Sequence, residues 1–327
     1  MGSTTLLHYT PLPICAHAVR TCWQSFGMGD DGGPKDLALI DKVGNKLKHS
    51  STLEHLIIGM ESDDELVVKV FRENEFSNVT PSANGQMIST NFRALQELQI
   101  PQSLKVSLAP KEYGYLLGIG DCNSVRHPEY PVNVGSDIAT LLYVNDIKML
   151  EKLVWDEEPH IHYSLYLQNI SRALLQELAR HRKASLSVKS TRYTLKELKK
   201  EGPFCGAMVN LSEPSRVIGT DDIERARKYL VFTGDAHTDA SSIVELELLR
   251  RNVVKGTAND ISKFNLPDAY KTELTWTISA KSLQNFLYLR TPPSAMWEIR
   301  RMAYRICDAL PANHKDLYAD CVHADRP

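Results

Sequence analysis

Residues 160–193, HIHYSLYLQNISRALLQELARHRKASLSVKSTRY, change their hydrophobic period midway, and that change constrains the fold most. Tyr163, Leu165 and Leu167 alternate with Ser164, Tyr166 and Gln168, the pattern of a strand with one buried face. Ile170, Leu174, Leu175 and Leu178 then fall at helical spacing, while Arg172, Gln176 and Arg180 share a different face. A strand running into an amphipathic helix requires a sheet with helices packed on it. The helix is expected to deliver Arg180, His181 and Arg182 at its C-terminal end. The hydroxyl-rich run Ser185, Ser187, Ser190 and Thr191 reads as turn-prone, and Arg192 and Tyr193 close it. Guanidinium groups pair bidentately with phosphate and hydroxyls add neutral hydrogen bonds, so the stretch suits a polyanion. The competing reading is a solvated helix end, where cations complement the helix dipole.

With 327 residues, 43% hydrophobic and 24% charged, the chain has material for a sizeable core. A net charge of −2 argues against wholesale nucleic-acid or membrane-surface binding. The N-terminus MGSTTLLHYTPLP lacks the basic region and apolar core of a signal peptide. Cysteines 15, 22, 122, 205, 307 and 321 form no CxxC pair and no metal spacing, and none is marked as a nucleophile. Reduced thiols in a cytoplasmic protein are expected. His49 and His55 stand six residues apart, a poor spacing for two ligands on one helix face, so no metal site is expected.

The remaining chain reads as ordinary framework. Helices are expected over Cys15–Phe26, over Lys35–Lys48 behind Pro34, from Thr220 to about Phe232 and from Asp239 to about Val254. Leu66–Phe71, LVVKVF, reads as a strand, and Ala83-Asn84-Gly85-Gln86 as a turn before Met87–Leu98. Ile88–Gln96 faintly echoes Ile278–Gln284, which reads as chance similarity of two helix starts. Ala269–Thr277 has strand character. It precedes a helix capped by Ser279 with a buried stripe of Leu283, Phe286, Leu287 and Leu289. Pro311–Pro327 reads as a surface tail.

Three separated blocks together carry a resemblance. They are His49-Ser-Ser-Thr-Leu-Glu54-His55, then Arg180-His-Arg182 with Ser190 and Arg192-Tyr193, then Ser279-Ala-Lys-Ser-Leu through Arg290 and Ala295–Arg300. In this order they resemble the flavin-dependent thymidylate synthases, with a flavour similar to epsilon-type bacterial members. In that family a Glu-His pair comes shortly before the first signature arginine. Here His55 precedes Arg180 by 125 residues and His160 by 20, so 57–159 reads as an insert. The domains expected are a discontinuous catalytic domain, 1–56 and 160–327, and a subdomain of unknown role over 57–159. The fold class is α+β, a central mixed or antiparallel sheet flanked by helices, with an inserted α/β subdomain.

The resemblance implies reductive methylation of dUMP to dTMP without a cysteine nucleophile. Methylenetetrahydrofolate supplies the carbon, and NADPH reduces a bound FAD. It implies a homotetramer with shared active sites, with no nucleic acid and no membrane as partners. Carried residue by residue, Arg172, Glu177, Arg180, Ser190, Arg192, Lys263 and Arg290 resemble the dUMP shell, and Arg290 and Ser190 the catalytic pair. Arg290 matches the residue that assists ionisation of uracil N3. Ser51, Arg180, His181, Arg182, Ser279, Lys281 and Asn285 resemble the FAD shell. The sequence departs from the family at Ser279, Lys281 and Lys263, where Asn, Arg and Arg are usual. A flavin- or nucleotide-binding homologue without methyl transfer is the alternative.

Overall fold

The protein is described here from a computed structural model, over residues 2–121, 134–145, 158–205 and 218–326. Cys122 and two stretches of the expected insert, 122–133 and 146–157, lie outside the described residues. The fold is α+β, as expected. It divides into two compact units, residues 1–167, 181–187 and 274–327, and residues 168–180 with 188–273.

Two sheets are present among the described residues. The first orders its strands β1-β2-β4-β3, with β1 Thr4–Tyr9, β2 Ile57–Ser62, β3 Asn78–Ser82 and β4 Gly85–Asn91. All its pairings are antiparallel. The second orders its strands β5-β6-β7-β9-β8, with β5 Val134–Gly135, β6 Ala139–Val144, β7 His162–Ser171, β8 Ala184–Val188 and β9 Lys271–Ser279. The alternation at Tyr163, Leu165 and Leu167 is therefore that of β7, and all three are fully buried.

In the first unit, α1 Leu12–Trp23 and α2 Pro34–Ile40 follow β1. A six-residue π-helix, Asp41–Lys46, continues α2, so the expected helix over Lys35–Lys48 changes its winding midway. Leu12, Leu37, Ile40, Leu53, Phe71 and Phe92 belong to one buried cluster. Leu66–Phe71 is helical, not a strand: α3 spans Glu65–Arg72. Asp64 caps it by accepting from the Leu66 and Val67 amides, and Val67 and Phe71, four apart, are the two residues it buries. The turn Ala83-Asn84 joins β3 to β4, so Met87–Asn91 is strand and the helix α4, Phe92–Glu97, starts only after it. Helix α5 is Gln102–Leu108.

The first part of the hydroxyl-rich run, Ser185 and Ser187, is extended rather than turned, since it lies in β8 beside β9, whereas Ser190 and Thr191 start a short helix. Beyond β9 come α11, Ala280–Arg290, and α12, Trp297–Ala309. The expected surface tail is partly core. His314 is 0% and Tyr318 2% exposed, because both join Tyr163 in a buried hydrogen-bonded group.

The second unit carries α6 Arg172–Leu178, α7 Thr191–Thr194, α8 Thr220–Ala226, α9 Ala236–Lys255 and α10 Asn259–Ser262. Its core gathers Leu195, Leu198, Phe204, Tyr229, Leu246, Leu249 and Tyr270. Helix α6 ends at Leu178, so Arg180, His181 and Arg182 follow the helix instead of riding on its last turn.

Candidate active site

In the second unit, Ser171 caps α6 by accepting from the Leu174 amide at 2.9 Å. Arg172 is the first helical residue, and its amide donates to the Tyr270 carbonyl at 3.1 Å. Arg172 and Glu177 are half-buried, and Arg180 is exposed. Ser190 occupies the cap position of α7, and its carbonyl accepts from the Thr194 hydroxyl at 3.1 Å. Helix α10 docks on α7, with the Asn259 side-chain amide donating to the Arg192 carbonyl at 2.6 Å. Arg192 Nε lies 3.0 Å from Asp260 Oδ1, both well exposed, and Lys263 opens the turn that follows α10. The fold thus brings Arg192 and Lys263 to neighbouring elements. An exposed pair of this kind contributes at most about 1 kcal/mol, so a phosphate can displace the carboxylate at little cost.

Lys189 is a cation that sequence reasoning missed. Its ammonium lies 3.2 Å from Glu273, and burial lowers its pKa against the opposing pull of Glu197. Its place directly before Ser190 was the available signal.

In the first unit, Arg290 at the end of α11 donates from Nε to His181 Nε2 at 2.9 Å. An accepting ring nitrogen carries no proton, so this contact places the His181 proton on Nδ1. Phe286, one turn earlier on α11, sets the ring: it meets His181 edge-on at 4.9 Å and Trp276 at 5.2 Å. Lys281 and Asn285 stand four apart on α11 and are exposed, as are Arg182 and Ser51. Ser279 does what its position in the sequence suggested: its hydroxyl accepts from the Ser282 amide at 3.2 Å as the helix cap.

The first unit also holds a buried polar network. His55 Nδ1 meets the Thr277 hydroxyl at 2.8 Å, and His55 Nε2 the Ser187 hydroxyl at 3.0 Å. His17 Nδ1 meets Thr275 at 2.9 Å. Burial pushes His55 down to about 3, with His17 adding to the shift, and pushes His17 down to about 4. His160, bonded to Ser89 and Thr80, is pushed down to about 4 by burial and secondarily by His8.

These histidines are neutral in the fold and titrate near 6.5 in an unfolded chain. Below pH ~6.5 the unfolded chain therefore binds more protons, and stability falls with falling pH until the folded-state values are reached. The slope is up to about 1.4 kcal/mol per pH unit for each histidine. Melting temperature recorded from pH 7.5 down to 4.5 is expected to hold steady at first and then fall steeply. A flat profile contradicts this assignment.

The Thy1 family model, thymidylate synthase complementing protein, matches residues 152–313. A flavin-dependent thymidylate synthase of Campylobacter jejuni is 37% identical over 321 residues, 98% of each chain. That of Wolinella succinogenes is 37% identical over 316 residues, 97% of each chain. A solved flavin-dependent thymidylate synthase of Helicobacter pylori, complexed with FAD and dUMP, is 30% identical and covers 98% of this chain and 100% of that one, with a TM-score of 0.46. No helix among the described residues is long and apolar enough to cross a membrane. On near full-length identity to these relatives, the chain belongs to the flavin-dependent thymidylate synthase family and is an enzyme of that class.

Proposed function

We propose that this chain reductively methylates dUMP to dTMP, with methylenetetrahydrofolate as carbon donor and NADPH as the source of electrons. The observation that carries the reading is the Arg290–His181 contact at 2.9 Å, which joins residues from two of the three signature blocks. Arg172, Glu177, Arg180, Ser190, Arg192 and Lys263 are assigned to dUMP. Arginines and a lysine suit its phosphate, and the Ser190 hydroxyl adds a neutral donor. Ser190 binds and orients the nucleotide; among the described residues no histidine–carboxylate relay accompanies it that would make it a nucleophile.

Arg290 has the central role. A nucleophilic C5 requires negative charge to build on the N3 and O4 edge of uracil. A fixed guanidinium aimed at that edge stabilises the charge and assists loss of the N3 proton. Its Nε bond to neutral His181 fixes the plane of the fork, so little reorganisation accompanies the reaction.

Ser51, Arg180, His181, Arg182, Lys281 and Asn285 are assigned to FAD. The donor set fits it, since exposed cations and hydrogen-bond donors suit a pyrophosphate. Ser279 serves that site through the cap it gives α11. FAD supplies the hydride when bound, and the chain supplies position and field. We assign the chain to a cytoplasmic homotetramer with shared active sites.

Adding dUMP to FAD-loaded protein tests the site. The flavin absorbance is expected to shift on dUMP addition, with the shift abolished in Arg192→Ala. An unperturbed flavin spectrum with dUMP present contradicts the proposal.

A further inference from the structure

The two sheets share one strand order. The first runs β1-β2-β4-β3, and the second, apart from its edge strand β5, runs β6-β7-β9-β8. In chain order a helix follows β2 and β7, and another follows β4 and β9. Strand order alone is weak support, because simple orders recur in unrelated folds. Local coincidences at five places add to it. The β1–β2 register shifts between Leu6 and His8, and the β6–β7 register between Leu141 and Tyr143. The residue after each first strand then clasps the next strand. Thr10 donates its amide to the Ile57 carbonyl at 2.9 Å and accepts the Ile57 amide on its hydroxyl at 3.1 Å. Asn145 donates to the His162 carbonyl at 3.3 Å and accepts the His162 amide on its side-chain oxygen.

A tight helical turn precedes β2, ending at His55, and another precedes β7, ending at His160. The carbonyl of the next residue, Leu56 or Ile161, accepts at 2.8 Å from the first amide of α4 or α11, that of Phe92 or Ala280. Asn91 caps α4 through the Ala94 amide as Ser279 caps α11 through the Ser282 amide. The end of the echo between Ile88–Gln96 and Ile278–Gln284 thus falls at equivalent places, with Asn91-Phe-Arg-Ala-Leu-Gln96 set against Ser279-Ala-Lys-Ser-Leu-Gln284, while its opening Ile-Ser pairs do not coincide.

The two histidines exchange partners. His55 reaches β9 from Nδ1, at Thr277, and β8 from Nε2, at Ser187. His160 reaches β4 from Nδ1, at Ser89, and β3 from Nε2, at Thr80. Thr277 and Ser89 each stand two residues before their helix cap. Each ring nitrogen therefore meets the equivalent strand of the other half, the mark of an isologous contact.

The halves differ in chemistry. Between α6 and β8 lie Ala179-Arg-His-Arg-Lys183; between α3 and β3, at the same length, lie Glu73-Asn-Glu-Phe-Ser77. A two-residue turn joins β3 to β4, where the chain between β8 and β9 carries Ser190, Arg192 and Lys263. An acidic loop does not take phosphate.

We infer that the described residues of 4–97 and 139–290 are two copies of one structural unit, clasped by His55 and His160, and that the first copy binds no dUMP of its own but positions β8 and β9 of the second through His55. Strand β8 leads directly into Lys189 and Ser190, and β9 into the helix that carries Arg290. His55 is a positioning residue, fully buried and without access to substrate.

Hydrogen–deuterium exchange on the full-length chain tests the clasp without reference to activity. His55→Gln is expected to speed exchange in 184–188 and 271–279 by about tenfold or more and to leave 78–91 unchanged. Ser89→Ala and His160→Gln should do the reverse. Quickening of the same segments by both histidine variants overturns the inference. Should His55→Gln not fold, Thr277→Val carries the same expectation.

A second readout rests on the dUMP assignment above. The KM for dUMP is expected to rise about tenfold in His55→Gln, equivalent to about 1.4 kcal/mol, with kcat little changed, and to stay unchanged in Ser89→Ala. Titration should give one dUMP per chain. Two per chain overturns the silent first copy. Crossed exchange without any dUMP binding supports the duplication and contradicts the nucleotide assignment instead.

Discussion

Arg290→Ala is expected to reduce thymidylate formation by about a thousandfold or more while leaving the protein folded. Removing a single preorganised donor to developing charge costs on the order of a hundred- to a thousandfold in kcat. In the role proposed for it, Arg290 supplies more than one such donor, since it would present a full positive charge to the uracil edge. Its side chain is half-buried at the end of α11, so its loss opens no core cavity. Arg290→Lys keeps the charge and loses the planar fork and the Nε bond to His181, so it is expected to recover only a small part of the activity. Steady-state kinetics with melting curves on the same samples check both variants. A half-active Arg290→Ala enzyme contradicts the role.

Phe286→Ala is expected to have the largest effect on stability among changes near the site. Phe286 is fully buried and packs edge-on against Trp276 and His181. Truncating a buried phenylalanine costs about 3–5 kcal/mol, through lost transfer energy and the cavity left behind. The same change frees the His181 ring that accepts from Arg290, so activity is expected to fall further than the unfolded fraction accounts for. Phe286→Leu fills most of the space and should retain more of both. Chemical denaturation gives the stability, and a loss below about 1 kcal/mol contradicts the packing role.

Much of the frame was legible in the sequence. Tyr163, Leu165 and Leu167 in β7 and Leu283, Phe286 and Leu287 on α11 are buried at the spacing expected, whereas Leu289, expected in the same stripe, is 49% exposed near the end of the helix. Leu66–Phe71 misled because its six residues are short and rich in β-branched side chains. The decisive signal was the capping Asp64 just before it, together with Val67 and Phe71 one helical turn apart. The run after Arg182 misled in the opposite direction. Its serines have turn propensity, but pairing beside β9 outweighs it, and Ser187 is spoken for by His55.

The roles proposed for the individual cations rest on the resemblance. Lys189 gave no periodic signal, and its burial depends on Glu273, 84 residues away. The likeness of the two halves was nearly invisible, because it survives in strand order, caps and exchanged histidines more than in residue identity. Only the Asn91–Gln96 and Ser279–Gln284 segments preserve it as sequence.

The central claim is tested most directly by mixing the purified protein with FAD, dUMP, methylenetetrahydrofolate and NADPH under anaerobic conditions and measuring dTMP. The account predicts dTMP formation that requires every component and disappears in Arg290→Ala. FAD and dUMP binding with no dTMP formed would contradict it and leave a binding homologue without methyl transfer.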